Sequence, residues 1–268
     1  MKLYYSPGAC SLAPHIVLNE AGLAYEPVLA STKTHQLADG TDYYTINPKG
    51  YVPLLELDSG ERLSEGPAIV QYLADQVPDK KLAPANGTMA RYRLQEWLNF
   101  ITSELHKGIG GMFNPAMPEE GKAVMRARAT PRLKWVDEQL EGKQYLMGDQ
   151  FSVADPYLFT VANWAKHTGI DISGLKNLSA FQARMAARPA VQEAMQRGQA
   201  FFLRSTGDPM RSQSIALGVL NRMRMRESIS MAYFDVFWCS AVLAIALVAL
   251  VFLMRRSVAK KGEHIAAE

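Results

Sequence analysis

The order of apolar and polar positions divides the chain into three regimes. In the first, up to about residue 80, apolar runs are short and are broken by turn residues. Lys2-Leu3-Tyr4-Tyr5 reads as a strand, Pro7-Gly8 as a turn, and 12–20 as a helix that carries Leu12, Ile16 and Val17 and stops at Gly22. Pro14 falls near that helix's start, where a missing N–H is no loss. Residues 25–29 read as a second strand, 32–47 as a polar loop with room for one helical turn, and 54–57 as a third strand. Asp58-Ser59-Gly60 then turns the chain so that Arg62-Leu63 pairs back as a hairpin, and Ser64 is placed to cap a helix over 66–76. Strand, helix, strand, hairpin and helix in that order describe an α/β layer with helices packed on a mixed sheet.

In the second regime, 91–204, the periods are helical and no strand pattern appears; Leu94, Trp97, Leu98, Ile101 and Leu105 share one face. Residues 80–87, Lys80-Lys81-Leu82-Ala83-Pro84-Ala85-Asn86-Gly87, read as the linker into it, and Ser152-Val153-Ala154-Asp155 reads as a capping box before an apolar helix over 156–164. The third regime holds an uncharged run, 236–254, about 19 residues that would span roughly 28 Å as a helix. A membrane span and a buried soluble helix both fit such a run, and the lack of a polar face over 242–254 favours the span.

Composition narrows the class without naming a function. With 48% hydrophobic and 21% charged residues in 268, the chain can bury a sizeable core as one or two domains. Residues 1–204 carry 21 basic and 21 acidic side chains against eight and five in 205–268, so the net charge of +3 belongs to the tail. A neutral main body without basic runs offers no footprint for nucleic acid. The cysteines Cys10 and Cys239 form neither a CxxC nor a zinc spacing, which fits a reducing compartment, and Met1-Lys2-Leu3 lacks the apolar core of a signal peptide, so the first part is expected in the cytoplasm. His15, His35, His106, His167 and His264 make no HxxxH or HExxH pattern, so no metal site is expected.

Three features carry candidate chemistry. Cys10 falls where the first helix begins, so free N–H groups and the helix dipole are expected to favour its thiolate; the competing reading is an inert buried cysteine. Pro53 enters a strand start, trans on an edge or cis with neighbouring backbone groups turned outward to meet an extended peptide. Asn99, Ser103, His106 and Lys107 fall at steps of four, three and one with Glu104 at the margin, a polar helix face that is either solvated or functional.

These motifs together resemble a bacterial beta-class glutathione transferase. The likeness is carried by Tyr5-Ser6-Pro7-Gly8-Ala9-Cys10-Ser11-Leu12, Asn47-Pro48-Lys49-Gly50-Tyr51-Val52-Pro53, Glu65-Gly66-Pro67-Ala68-Ile69-Val70-Gln71-Tyr72-Leu73-Ala74-Asp75, Glu96-Trp97-Leu98-Asn99-Phe100 and Glu104-Leu105-His106-Lys107-Gly108, in order over about 200 residues. It implies a thioredoxin-like glutathione-binding domain over 1–80 and an all-helical domain over 88–203, with glutathione as co-substrate and a homodimer as the assembly. It also implies a cis Pro53 beside Val52, whose main chain pairs with the cysteinyl part of glutathione. Glu65 and Gly66 are implied at the γ-glutamyl end, Ala9 and Cys10 beside the sulfur, and Asn99, Ser103, Glu104, Leu105 and His106 around the site, partly across the dimer interface. Cys10 and His106 are the implied catalytic residues, with His106 expected to donate a hydrogen bond near the sulfur. Where the family usually carries a lysine at the glycyl carboxylate this chain has His35, with Lys33 two residues earlier as a substitute.

The implied activity is conjugation of the glutathione thiolate to electrophilic apolar substrates, a detoxification reaction, with thiol transfer through Cys10 at its side. A glutathione-dependent isomerase or dehalogenase, or a non-catalytic glutathione-binding stress module, are alternatives on the same scaffold. The likeness ends near residue 203; 204–235 reads as a linker and 255–268 as a basic tail with Arg255, Arg256, Lys260 and Lys261. The region from Ser230 through 254 resembles the last transmembrane helix of a major facilitator superfamily multidrug antiporter, which implies a membrane anchor or a fused remnant. The basic flank argues for a cytoplasmic C-terminus, while the need for glutathione argues for a cytoplasmic transferase domain.

Overall fold

A computed structural model describes residues 1–206, with side chains to residue 198. The expected linker beyond 206, the span at 236–254, the basic tail and Cys239 lie outside the described residues. Among the described residues no helix is long and apolar enough to cross a membrane.

Strand β1 (Lys2–Tyr5) owes its central place to three consecutive buried residues, Leu3, Tyr4 and Tyr5. Because successive strand residues face opposite ways, Leu3 and Tyr5 join the core beneath the helices while Tyr4 joins a smaller cluster on the other face. Helix α1 (Leu12–Ala21) crosses over to β2 (Glu26–Leu29), which pairs parallel with β1. Strands β3 (Leu54–Glu56) and β4 (Arg62–Ser64) form the hairpin, with β3 antiparallel to β1, so the sheet runs β2-β1-β3-β4. Helix α2 (Gly66–Asp75) packs beside α1 on the helical face.

The segment expected to be a polar loop, 32–47, contains one 3-10 turn, Tyr43–Thr45, and covers the second cluster. Tyr43 is fully buried there and its hydroxyl donates to the Tyr51 carbonyl at 2.9 Å, which also accepts from Asn47 Nδ2 at 2.7 Å. A buried phenol with a backbone partner keeps this polar stretch folded against the sheet.

The helical part starts at α3 (Met89–Phe100), whose N-cap Thr88 accepts from the Arg91 N–H. The chain continues through a π-helical turn, Ile101–His106, α4 (Lys107–Gly110) and a 3-10 turn, Gly111–Phe113. Then come α5 (Glu119–Gln139), α6 (Ala154–Asn163), α7 (Ala165–Thr168), α8 (Lys176–Ala186) and α9 (Pro189–Thr206). The expected stripe is buried at Leu94, Leu98, Ile101 and Leu105, with Trp97 packed against it. Helix α6 is buried from Ala154 through Ala162, as befits a helix with no polar face in the middle of a bundle.

Two caps differ from expectation. At α2 the N-cap is Glu65, not Ser64, and its side chain makes no capping bond. At α6 only half the box forms: Asp155 Oδ2 accepts from the Ser152 N–H at 2.7 Å, but the Ser152 hydroxyl donates to the same oxygen at 3.0 Å instead of capping the helix. Asp155 Oδ1 also takes the Leu146 N–H at 2.8 Å, so one fully buried carboxylate ties the 145–152 loop to the helix. Burial pushes that carboxyl up to about 6 against the pull of these donors, which leaves it ionised at neutral pH.

Met1–Phe201 pack as one compact unit, held by two arginines that link the sheet part to the helices. Arg91, 3% exposed, reaches both Asp75 oxygens at 2.7 and 2.8 Å, Gln71 Oε1 at 3.2 Å and the Pro84 carbonyl at 3.0 Å. Arg188 forks onto Glu20 of α1 at 2.6 and 2.9 Å and donates to the Tyr145 hydroxyl. Fixed two-toothed pairs of this kind set orientation as well as contact.

Candidate active site

The register of the sheet gathers the candidate residues. Tyr4 pairs with Leu54 and Leu54 with Ser64, so the end of β1, the start of β3 and the end of β4 lie together. The residues just beyond those ends are the 6–11 loop, Val52-Pro53 and Glu65-Gly66. Six of the expected residues, Ala9, Cys10, Val52, Pro53, Glu65 and Gly66, thus belong to three loops at one edge of the sheet.

The 6–11 loop is fixed from inside and outside. Ser11, fully buried, accepts from the Ser6 N–H at 3.0 Å and donates to the Ser6 carbonyl at 3.1 Å, and the Ala9 N–H donates to the same carbonyl. From the helical part, Trp164 Nε1–H donates to the Gly8 carbonyl at 2.9 Å. Gly8 has φ +76°, which an L side chain rarely adopts, so glycine is required at that turn.

The Val52-Pro53 peptide bond is cis, the form that the resemblance implied. The Cys10 thiol donates to the Val52 carbonyl at 3.2 Å. The expectation of a thiolate at Cys10 is opposed by desolvation: burial pushes the thiol up to about 11, and the N–H groups of Cys10 and Ser11 with the Lys107 ammonium only partly offset this, while Glu65 adds to it. Desolvation outweighs the helix end here.

Glu65 stands at φ 70°, ψ 115°, a sparsely populated conformation for a residue with a Cβ. Its carbonyl accepts from the Ala68 and Ile69 N–H groups, starting α2, while its carboxylate projects outward to Lys49 Nζ at 3.0 Å. Lys49 also reaches Ser64 Oγ at 3.2 Å. Pro67 sits in the first turn, where the loss of its N–H is harmless.

His35 also has positive φ, 52°, and its ring packs on Tyr44 with centroids 4.6 Å apart. Its Nδ1 lies 3.2 Å from the Gly50 carbonyl, which can only accept, so Nδ1 carries the proton. A neutral His35 therefore has an acceptor nitrogen left, not the donor that a lysine supplies. A Cβ at Gly50 would come within 2.6 Å of the Tyr44 ring and 2.9 Å of His35 Nδ1, so this packing needs glycine. Lys33 is exposed on the same loop.

On the helical side, the expected common face breaks at the π turn. Asn99, Ser103 and Lys107 are exposed, whereas His106 is half-buried with Nδ1 2.7 Å from the Tyr157 hydroxyl and its ring 5.0 Å from that of Trp164. A wider i→i+5 turn rotates whatever follows it relative to an α-helical count. Burial lowers the His106 pKa to about 4, Lys107 acting in the same direction and Glu65 against it. Ser103 Oγ bonds to the Asn99 carbonyl and Glu104 accepts from Arg132 Nε at 3.0 Å, so within one chain these side chains have other partners. Leu105 is fully buried in the core.

The sequence reading missed Tyr157, Thr102 and Trp164. Tyr157 and Trp164 lie in or beside an apolar run that reads as core, yet each has a polar tip that must find a partner when buried, and that was the available signal. Among the described residues no group of three His, Cys, Asp or Glu could hold a metal ion.

Comparison with known proteins adds two family matches: residues 8–76 match the glutathione S-transferase N-terminal domain and residues 100–189 the glutathione S-transferase C-terminal domain. Glutathione S-transferase GstA of Escherichia coli O157:H7 is 47% identical over 195 residues, which cover 73% of this chain and 97% of that protein. Among solved structures, the ternary complex of BphK, a bacterial transferase, superposes with TM-score 0.73 at 56% identity, covering 74% of this chain and 99% of that one. A sphingomonad glutathione S-transferase complexed with glutathione gives TM-score 0.72 at 44% identity, over 74% of this chain and 98% of that one.

Proposed function

This chain belongs to the glutathione S-transferase family, and from that premise we propose how its residues carry glutathione to an electrophile. It is a transferase with glutathione as co-substrate, conjugating the thiolate to electrophilic apolar compounds. The finer reading, a beta-class enzyme, rests on the motifs around Cys10, Pro53 and Glu65.

The observation that carries the reading is the meeting of three loops at one sheet edge, a thiol, a cis X-Pro and a strained carboxylate residue opening a helix. The Val52 main chain beside the cis bond takes the cysteinyl portion as an added strand would. Glu65 pairs with the γ-glutamyl ammonium, and the start of α2 at Gly66 faces the neighbouring carboxylate. Cys10, protonated at neutral pH, has a proton to give: in the free protein it goes to the Val52 carbonyl, and beside a ligand it can go to the glutathione sulfur once that sulfur is ionised. This role replaces a thiolate nucleophile at Cys10 and makes thiol transfer a slow side reaction at neutral pH.

Two lobes, 1–80 and 88–203, fit the change from sheet to helices. Ser103 bonds to the Asn99 carbonyl, Glu104 bonds to Arg132, and the Asn99 side chain is exposed, which fits a homodimer in which these residues serve the partner's ligand. A cytoplasmic catalytic part fits the need for glutathione, and the uncharged run 236–254 is read as its anchor; carbonate washing of membranes from cells expressing the full chain should leave the protein bound, and its release would remove that reading.

The function is tested by incubating purified protein with glutathione and an activated aryl halide, with glutathione titration by calorimetry alongside. Saturable turnover is expected; binding without turnover across a panel of electrophiles would reduce the chain to a glutathione-binding module.

A further inference from the structure

Four groups in the helical part form a chain of hydrogen bonds whose direction is fixed by proton counting. Thr102 Oγ1 lies 2.8 Å from the Leu98 carbonyl, which has no proton to give, so the single threonine hydroxyl proton goes there. Thr102 Oγ1 is also 3.2 Å from the Tyr157 hydroxyl, and with its own proton committed it can only accept. The tyrosine proton therefore points to Thr102. His106 Nδ1 lies 2.7 Å from the same phenol oxygen, which has lone pairs left but no second proton, so the imidazole must be the donor.

We infer that Tyr157, held by Thr102, is a positioning residue that locks His106 in the tautomer with its proton on Nδ1 and leaves Nε2 as a bare hydrogen-bond acceptor. The consequence for catalysis rests on the transferase reading: His106 offers a thiol a lone pair, not the N–H that the family resemblance led us to expect. A thiol proton can be held there before ionisation, whereas a thiolate finds no donor on this ring.

Independent observations agree. The ring is clamped between Tyr157, with centroids 5.8 Å apart, and Trp164 at 5.0 Å, both close to edge-on, so its orientation is fixed by packing as well as by the bond. The phenol is far from ionising because burial raises its pKa, the Thr102 hydrogen bond opposing this only in part and the Glu65 carboxylate adding to it. The titratable groups whose fields reach the ring are Lys107 and Glu65, and the ring is neutral at pH 7 with burial as the largest cause, so it holds one proton to place. Trp164, whose ring lies 5.0 Å from that of His106, donates to the Gly8 carbonyl at 2.9 Å, which puts this relay beside the 6–11 loop that carries Cys10.

The test reads the tautomer directly and needs no ligand. Full-length protein labelled with 15N-histidine is studied by long-range 1H–15N correlation at pH 7.5, with the His106 ring identified by its loss in His106→Gln. The expected wild-type pattern has a protonated Nδ1 and a pyridine-type Nε2. Thr102→Val removes the acceptor for the tyrosine proton, which must then turn to Nδ1, so the pattern should invert to Nε2–H; Thr102→Ser should restore it. Tyr157→Phe should release the Nδ1 proton preference altogether. A wild-type ring protonated on Nε2, or an unchanged pattern in Thr102→Val, overturns the inference.

Kinetics provide the functional arm. Thr102→Val turns an N–H toward the sulfur, so the pH profile of kcat should move to lower pH as the bound thiolate gains a donor, with little change in KM for glutathione, while Thr102→Ser behaves like the wild type. An unmoved profile in Thr102→Val, or the same change in both variants, would show a merely structural threonine and overturn the functional consequence. If the wild type conjugates nothing, the transferase reading fails while the tautomer result stands by itself.

Discussion

Replacing Glu65 by glycine and by alanine separates two things that the residue does at once. Its backbone, at φ 70° and ψ 115°, is one that a side chain disfavours by about 1–3 kcal/mol, and its carboxylate is the proposed partner of the γ-glutamyl ammonium. Alanine removes the carboxylate and keeps the strain; glycine removes both. Against the relief stands the extra freedom of glycine in the unfolded chain, about 0.5–1 kcal/mol. The lost pair with Lys49, whose partners are 52% and 68% exposed, is common to both variants. Exposed pairs of this kind are worth about 1 kcal/mol at most. Glu65→Gly is thus expected to be about 1 kcal/mol more stable than Glu65→Ala, seen as a higher urea midpoint at unchanged slope. Both should lose glutathione affinity by about 2–4 kcal/mol, or roughly 30-fold to a thousandfold, in calorimetric titration. A glycine variant no more stable than the alanine one would refute the strain argument. Wild-type affinity in either would refute the role of the carboxylate.

His15, 1% exposed between the Tyr5 and Tyr25 rings with Nε2 unpartnered, has its pKa lowered by burial to about 4 from 6.5, Arg197 acting the same way. The unfolded chain takes up a proton below pH 6.5 that the folded one refuses until about 4, so this stability is lost as pH falls, about 2 kcal/mol of it between pH 7 and 5; His15→Phe should shrink the pH 7-to-5 drop in urea stability by that amount, and an unchanged drop counts against it. The Cys10 thiol, pushed up to about 11, should react slowly with iodoacetamide at pH 7.5 and about tenfold faster per pH unit up to that value; fast alkylation at neutral pH would restore the thiolate reading. Arg91→Met takes the guanidinium from the Pro84 carbonyl and from the Asp75 carboxylate, which is 37% exposed and keeps Asn86, and should cost about 2 kcal/mol in urea unfolding; a loss under about 0.5 kcal/mol would mean that the pair is not what joins α2 to the helices.

What the sequence made legible is what local rules govern. The strand at 2–5, the helix ended by Gly22 and the hairpin at 54–64 follow from alternation, a left-handed glycine cap and a turn, and they stand within a residue or two of expectation. The conformation of Glu65 was not legible, because a non-glycine residue at positive φ violates the local preference that sequence reading relies on. Of the polar face, Asn99, Ser103 and Lys107 are exposed as the helical count gives, and only His106 departs from it, half-buried beside the π turn and bonded to Tyr157. At Cys10 the helix end stands where it was expected, but the burial that pushes the thiol up depends on segments far away in the chain, such as Val52, whose carbonyl lies 3.2 Å from the sulfur.

The charge that a glutathione thiolate requires then has to come from somewhere other than His106. A neutral ring with its lone pair on Nε2 favours the thiol, so its help ends when the proton leaves. The Lys107 ammonium opposes the desolvation of Cys10, as do the N–H groups of Cys10 and Ser11, and each of these would favour an anion lying beside that thiol. The 6–11 loop that carries those N–H groups is held by the Trp164 bond to Gly8, so in the proposed site the helical part would supply the cation, the proton acceptor and the clamp, and the sheet the loops that take the peptide. On that proposal the two-toothed, partly or wholly buried pairs of Arg91 and Arg188 matter to chemistry as well as to folding, because a shift of about 1 Å between sheet and helices would move the proposed glutathione sulfur away from Lys107 and His106.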